Sequence, residues 1–258
     1  MTLILSGDIT LRRTWQPMDP DAAAYITAVE TADGQALEEP VKIAIDNFVL
    51  GCKADGIWDA IKASCILAGA RTLNGALVPL AGTAPTNNGF TVEQYNRKTG
   101  LKATSGQYLN ANRDNSVDPQ NSRHVAVYQT EVPSNDIIVI IGTTFNASRT
   151  TILKTGTTTA RITANNGPSI DVIALGFLGG ARYSATNVSI RNRKLTISGS
   201  YASEVPESLP MGVFANGSGG NACLGNRIAF YSIGESLDLA KLDARVTDLI
   251  NKFAEVIP

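Results

Sequence analysis

NVSIRNRKLTIS, residues 187–198, decides how this chain is read. Val188 and Ile190 alternate with polar residues, Asn192-Arg193 has turn composition, and Leu195 and Ile197 resume the alternation. A period of two puts alternate side chains on one face of a strand. The run therefore predicts a hairpin in which Val188 and Ile190 face Leu195 and Ile197. The same texture extends outward. LNGALVPLAG (73–82), HVAVYQTEV (124–132), DIIVIIGTTF (136–145) and RTTILKTG (149–156) precede it, and NRIAFYSIG (226–234) follows. These short runs are separated by Gly, Asn, Pro and Ser clusters. About eight to twelve strands without alternating helices predict a mainly β, double-sheet jelly roll over 67–234.

On either side the period lengthens. Residues 19–66 read as helical: Asp19-Pro20 is a cap followed by Pro at the first helical position, and Gly34 is a stop. Val41, Ile45, Phe48 and Val49 form the stripe of a second helix, and Ile57, Trp58 and Ile61 are assigned to a short third one. Residues 235–258 return to helix from Ser236, with Leu242, Val246, Leu249, Ile250 and Phe253 on one face. That stripe needs a cover. It packs on the 19–66 helices of its own chain, the favoured reading, or joins two copies in a bundle.

Residues 1–18 read as an arm. Leu3 and Leu5 alternate before the turn composition Ser6-Gly7-Asp8, Ile9 and Leu11 alternate after it, and Trp15 follows. So short a strand pair is not stable alone and is expected to add to a sheet of this chain or of a neighbour. Leu3, Leu5, Ile9, Leu11 and Trp15 are thus the candidate attachment and oligomerisation residues.

The 258 residues carry 22 Lys+Arg and 23 Asp+Glu, a net charge of −1. So even a balance argues against nucleic acid as a partner, because neutralising phosphates takes a basic excess. No apolar run approaches the roughly 20 residues that span a bilayer, and no basic residue precedes the apolar start of MTLILSGDIT. A soluble chain with neither membrane insertion nor secretory signal is expected. Residues 1–66 hold 5 basic and 10 acidic residues, whereas 67–234 hold 14 and 8. Much of the acidic excess falls at helix starts, where the macrodipole favours it. Cys52, Cys65 and Cys223 are odd in number and follow no metal-ligand spacing, so buried, reduced thiols are expected.

Catalytic signals are weak. His124 lies inside an alternating run, where a hydrogen-bonded strand histidine is the expected role, and no G-x-S-x-G elbow occurs. The acids of the β region show no close strand-borne pair of the kind a glycosidase needs. The expectation is that the chain is not an enzyme and carries no cofactor. Asn110, Asn112, Asp114 and Asp118 imitate the start of a calcium loop, but the turn glycine and the distal glutamate are missing. Asx turns explain the same residues without an ion, and no metal is expected. For glycan contact, Tyr95, Tyr108, Tyr183 and Tyr201 lie near turns, and ANGSGGN (215–221) reads as a flexible loop; none singles itself out.

DPDAAAYITAVETADGQAL (19–37), CKADGIWDAIKASCILAGARTLNGALVPLAGTAPTN (52–87), YNRKTGLKATSGQYLNANRDNSVDPQNSRHVAVY (95–128) and NRIAFYSIGESLDLAKLDARVTDLI (226–250) resemble a module of tailed-bacteriophage virion proteins. These are tail-fibre or structural proteins with a concanavalin-A-like lectin/glucanase jelly roll. The resemblance spans residues 19–258 and is looser over 131–168. It implies a virion protein that folds in the host cytoplasm and assembles with other virion proteins as a homo-oligomer, a trimer being favoured. With the arm reading of residues 1–18, the expectation is a tail-fibre-like unit attached through that segment, with host surface glycan as a candidate partner of its sandwich loops. The alternatives are a head decoration or cement protein and, less favoured, a polysaccharide-degrading enzyme. Where the module often carries Asn-Gly, this chain reads Asn192-Arg193-Lys194, which predicts a longer or strained hairpin loop.

Overall fold

The computed structural model describes residues 15–143, 150–154, 160–164, 166–167, 169–170 and 174–258. Two helices lead: α1 (Pro20–Asp33) and α2 (Glu39–Ala54). Asp19 caps α1 through its carboxylate, which accepts from the backbone N–H groups of Asp21 and Ala22, and Gly34 closes it in the left-handed region at φ 67°. These are the start and stop that the residue types demand.

The strands then form two antiparallel sheets. In chain order they are β1 (Ile61–Ile66), β2 (Thr86–Asn88), β3 (Tyr95–Asn96), β4 (Gly100–Lys102), β5 (Tyr108–Asp114), β6 (Arg123–Glu131), β7 (Ile138–Gly142) and β8 (Thr150–Lys154). There follow β9 (Ala160–Ala164), β10 (Ser169–Ile170), β11 (Gly176–Arg182), β12 (Asn187–Asn192), β13 (Leu195–Ser200), β14 (Pro210–Val213) and β15 (Arg227–Gly234). One sheet runs β13-β12-β11-β6-β15-β4-β3, with β1 also paired to β15; the other runs β10-β9-β8-β7-β14-β5-β2. The chain closes with α4 (Leu239–Val256). The jelly-roll sandwich with helices at both ends, expected from the sequence, is the fold.

Three layers follow from the burial pattern. Val125 and Val127 of β6, Leu178 of β11 and Ile190 of β12 point between the sheets, where they meet Ile140, Ile152 and Met211. Ala126, Phe177, Ala181 and Phe230 leave the opposite face of the first sheet and meet Ile45, Phe48, Leu242 and Val246 of the helices. Phe48 and Phe230 pack edge to face at 5.9 Å. That sheet is therefore buried on both faces, which is why β6 and β15 read as nearly continuous apolar runs. A bulge between Ile228 and Phe230 shifts the register of β15 against β6, and both Ala229 and Phe230 then pack in the helix-side core.

Several expectations about individual segments are corrected. The third helix expected around Ile57, Trp58 and Ile61 is a single 3-10 turn, Trp58–Ala60, followed by strand β1. Gly56, at φ 70°, ends the helical path, and residues 61–66 pair with the free edge that β15 offers from Phe230 to Gly234. LNGALVPLAG is not a strand: a short helix, α3 (Leu73–Ala76), forms there, its cap Thr72 accepting from the Gly75 N–H. The cap of α4 is Asp238, not Ser236. The hairpin loop after β12 is not longer than usual. Asn192 pairs with Leu195 around two residues, and the strain is carried by Arg193 at φ 54°. Loop 215–221 is tied down: Asn216 Oδ1 accepts from the N–H groups of Ser218 and Gly220, and the Val139 N–H donates to Asn221 O.

Candidate functional site

Four of the candidate attachment residues, Leu3, Leu5, Ile9 and Leu11, lie outside the described residues. The fifth, Trp15, is half-buried against the helical core of its own chain. Just after it the chain is pinned. The backbone N–H groups of Met18 and Asp19 donate to the two oxygens of Asp46, a carboxylate of α2 that is only 1% exposed, at 3.1 and 3.0 Å. Asp19 in turn accepts twice from Lys53 Nζ, at 2.8 and 2.9 Å. Its carboxyl is held below the usual range: burial opposes this, and the Lys53 ammonium with the Ala22 and Asp21 amides outweighs it. The root of the arm is thereby fixed to both leading helices. Asp46 was not legible as an anchor, because in sequence it is one acid on a helix.

The other candidates are mostly absorbed by the protein's own bonds. Asn110 Oδ1 accepts from the Asn112 N–H, Asn112 Nδ2 donates to Ala84 O, and Asp114 accepts from the Ser116 N–H and hydroxyl. Asp118 is bidentate with Arg113 at 3.0 and 2.5 Å. These are Asx turns and an ion pair, and no three His, Cys, Asp or Glu side chains converge as a metal set among the described residues. The Tyr95 and Tyr183 hydroxyls donate to Ala70 O and Leu237 O. All three cysteines are buried thiols.

His124 is a buried strand residue. Its Nδ1–H donates to Glu235 O at 2.6 Å, so Nε2 is the acceptor for the Ser232 hydroxyl at 2.7 Å. Burial lowers its pKa to about 4, opposed by the Glu235 carbonyl.

Two open hollows share Trp58 and Asp21 in their linings. Asp21, Lys53, Gly56 and Asp59 line one of about 300 Å³ with Trp58, and Asp21, Ala24, Ala28, Pro79 and Leu80 are among the residues lining the other, of about 320 Å³. Lys53 Nζ stands 5.7 Å from the Trp58 ring centre and 2.6 Å from Asp21 Oδ2. The sequence reading placed Trp58 on a helix stripe and missed this setting.

No protein-family model and no curated protein matches the chain. Solved structures do resemble it. One is domain 4 of AbnA, a GH43 extracellular arabinanase from Geobacillus stearothermophilus in complex with arabinotriose, at 13% identity and TM-score 0.36, covering 74% of this chain and 98% of that one. Another is a mutant Trypanosoma rangeli sialidase displaying trans-sialidase activity, at 10% identity and TM-score 0.44, covering 80% and 39%. A third is a GH54 α-L-arabinofuranosidase soaked with a cyclic sulfate inhibitor, at 10% identity and TM-score 0.42, covering 59% and 40%. The chain thus spans about 40% of the length of these last two. The expectation that the chain is not an enzyme is corrected and withdrawn, because the proteins it resembles include glycoside hydrolases and a sialidase with trans-sialidase activity. Likeness at this level assigns this chain no activity of its own.

Proposed function

We propose that this chain is a structural component of a tailed-bacteriophage particle, of tail-fibre type. In this reading it assembles through its N-terminal arm with other virion proteins, as a homotrimer, and offers its surface to a host glycan. The observation that carries the reading is the root of the arm. Asp46 and Lys53 clamp residues 18–19 to α1 and α2, so the chain at the start of the described residues is anchored in the three-layer core. A segment meant only to cap the chain's own sheet needs no such buried carboxylate, whose desolvation two backbone N–H groups offset.

The test is incorporation. Protein lacking residues 1–14 keeps Trp15 and the Asp46 clamp, so it folds. It should be absent from purified particles that take up the full-length chain. Normal incorporation of the shortened chain would refute arm-mediated assembly. A glycan array with the purified oligomer tests the second half, and silence across host surface polysaccharides would leave head decoration as the better assignment.

A further inference from the structure

We infer that β13 is an interface strand: its open edge pairs antiparallel with β13 of a second copy of this chain, about a two-fold axis at Ser198. The inference goes beyond the arm and the glycan contact proposed above and rests on neither.

The ends of the two sheets point to it. A terminal strand carries a row of backbone N–H and C=O groups with no neighbour, and proteins blunt such rows with short strands, charge, proline or bulges. Three of the four ends are blunted by length: β3 and β10 have two residues and β2 has three. The outer side of β1 is met by the loop after α3, where the Ser64 N–H donates to Ala81 O and the Leu80 N–H donates to Ser64 O. β13 has no such protection. It is six residues long and pairs with β12 over its whole length without a register shift, and its sequence, LTISGS, holds neither charge nor proline.

Strand parity decides which groups are free. The Tyr201 N–H donates to Thr186 O, so the odd-numbered residues of β13 turn their backbone toward β12, and Thr196, Ser198 and Ser200 turn theirs outward. No backbone group among the described residues meets these three from the outer side. One face is uncovered as well. Leu195 and Ile197 share the face of Val188 and Ile190, which are each 1% exposed, yet are themselves 63% and 40% exposed. The apolar face between the sheets thus runs on past the point where the second sheet covers it. The opposite face is polar: the Ser189 and Ser198 hydroxyls share a hydrogen bond of 2.7 Å, and Thr196 Oγ1 accepts from Arg191.

A second β13 matches this edge. Setting Ser198 opposite Ser198 of the other copy also sets Thr196 opposite Ser200 and Ser200 opposite Thr196. These pairs exchange two N–H···O=C bonds each, whereas a slip of two residues either way loses one of the pairs. In the same register Leu195 meets Tyr201 of the other copy and Ile197 lies against Gly199, an aliphatic–aromatic contact on the uncovered face. The basic hairpin tips, Arg193-Lys194, fall at opposite ends of the joined strands, so like charges stand apart. A two-fold contact demands such a self-complementary patch.

The number of copies in solution tests the inference. Sedimentation equilibrium of the full chain, taken to about 0.3 mM because an edge contact is small, should show an even number: a hexamer where the arm builds homotrimers, and otherwise a dimer. Ser198→Pro removes an outward N–H, and Ile197→Lys puts a charge on the uncovered face; each should halve that mass and shift the melting temperature by less than about 4 °C. The native thiols are buried, so an added one reports by itself. Ser198→Cys should give a disulfide-linked dimer on mild oxidation, since paired Cα atoms stand about 5.5 Å apart, and Leu195→Cys should not. A monomer or an odd-numbered assembly, an unchanged mass for a folded edge variant, or preferential cross-linking of Leu195→Cys would overturn the inference. A trimer does so while leaving the arm reading intact; a dimer supports the edge contact and refutes the homotrimer.

Discussion

Arg123 of β6 and Arg182 of β11 stand directly opposite each other in register, and both side chains are buried, at 1% and 0% exposure. Two cations side by side between sheets would be costly if they were not solvated by something else. Backbone carbonyls do it. Arg123 donates to the carbonyls of Asn115, Asp118 and Pro119 and to the Thr150 hydroxyl. Arg182 donates to those of Ala164, Asn166, Ser184, Ala185 and Tyr201. The pair therefore ties the loops at one end of the sandwich to both sheets. Burial pulls the Arg123 pKa down to about 10; the charge of Asp118 opposes this, and that of Arg182 adds to it.

Replacing Arg182 with Met should destabilise the fold by about 3–5 kcal/mol, since it strands buried carbonyls that the guanidinium fork had satisfied. Arg182→Lys should recover little, because an ammonium cannot span five acceptors spread around a planar fork. Denaturant unfolding of the three proteins checks this, and a loss below about 1 kcal/mol for the Met variant would show that the loops do not depend on the arginine.

Stability should fall as the solution is acidified from pH 6.5 toward 4. His124 is neutral in the fold, with its pKa lowered from 6.5 to about 4, so the unfolded chain binds the extra proton in that window. The sign follows: stability is gained as pH rises through the window and lost as it falls, by up to about 3 kcal/mol at the lower end. His124→Asn should flatten this part of a melting-temperature profile. An unchanged slope would mean that other groups carry the acid sensitivity.

The stripe of α4 is a structural seam. Leu242 and Val246 are each 0% exposed against α2 and the first sheet, and Arg245 and Asp55 close the edge at 2.7 Å. Leu242→Asp should cost about 4 kcal/mol or more, since it loses the buried aliphatic group and buries an unpaired charge. Calorimetry reads the effect, and an unchanged melting temperature would place the stripe on the outside.

Arg193→Gly should stabilise the protein modestly, by about 0.5–1 kcal/mol. Arg193 holds φ 54° at the first central position of a two-residue hairpin turn, where a side chain is strained and glycine is not. A lower melting temperature for the variant would show that the arginine's own contacts outweigh the strain.

Strands with one face toward water, such as β5 and β12, could be read from period-two alternation, whereas β6 and β15, buried on both faces, read as apolar runs bounded by turn residues. Asp19-Pro20 and Gly34 likewise marked α1 through purely local chemistry, and the α4 stripe announced that it needed a cover. What the sequence could not show depends on partners distant along the chain. Residues 61–66 are a strand because the edge of β15 is free to receive them, and 215–221 is a hydrogen-bonded loop because Val139 and Asn216 hold it. Asp21 and Asp59 come to the same hollow only through the packing of the turn after α2 beside α1. Local sequence fixes propensity and pattern. The tertiary structure alone chooses which backbone edges are left open, which buried charges are met by carbonyls, and which polar side chains remain free to meet another molecule.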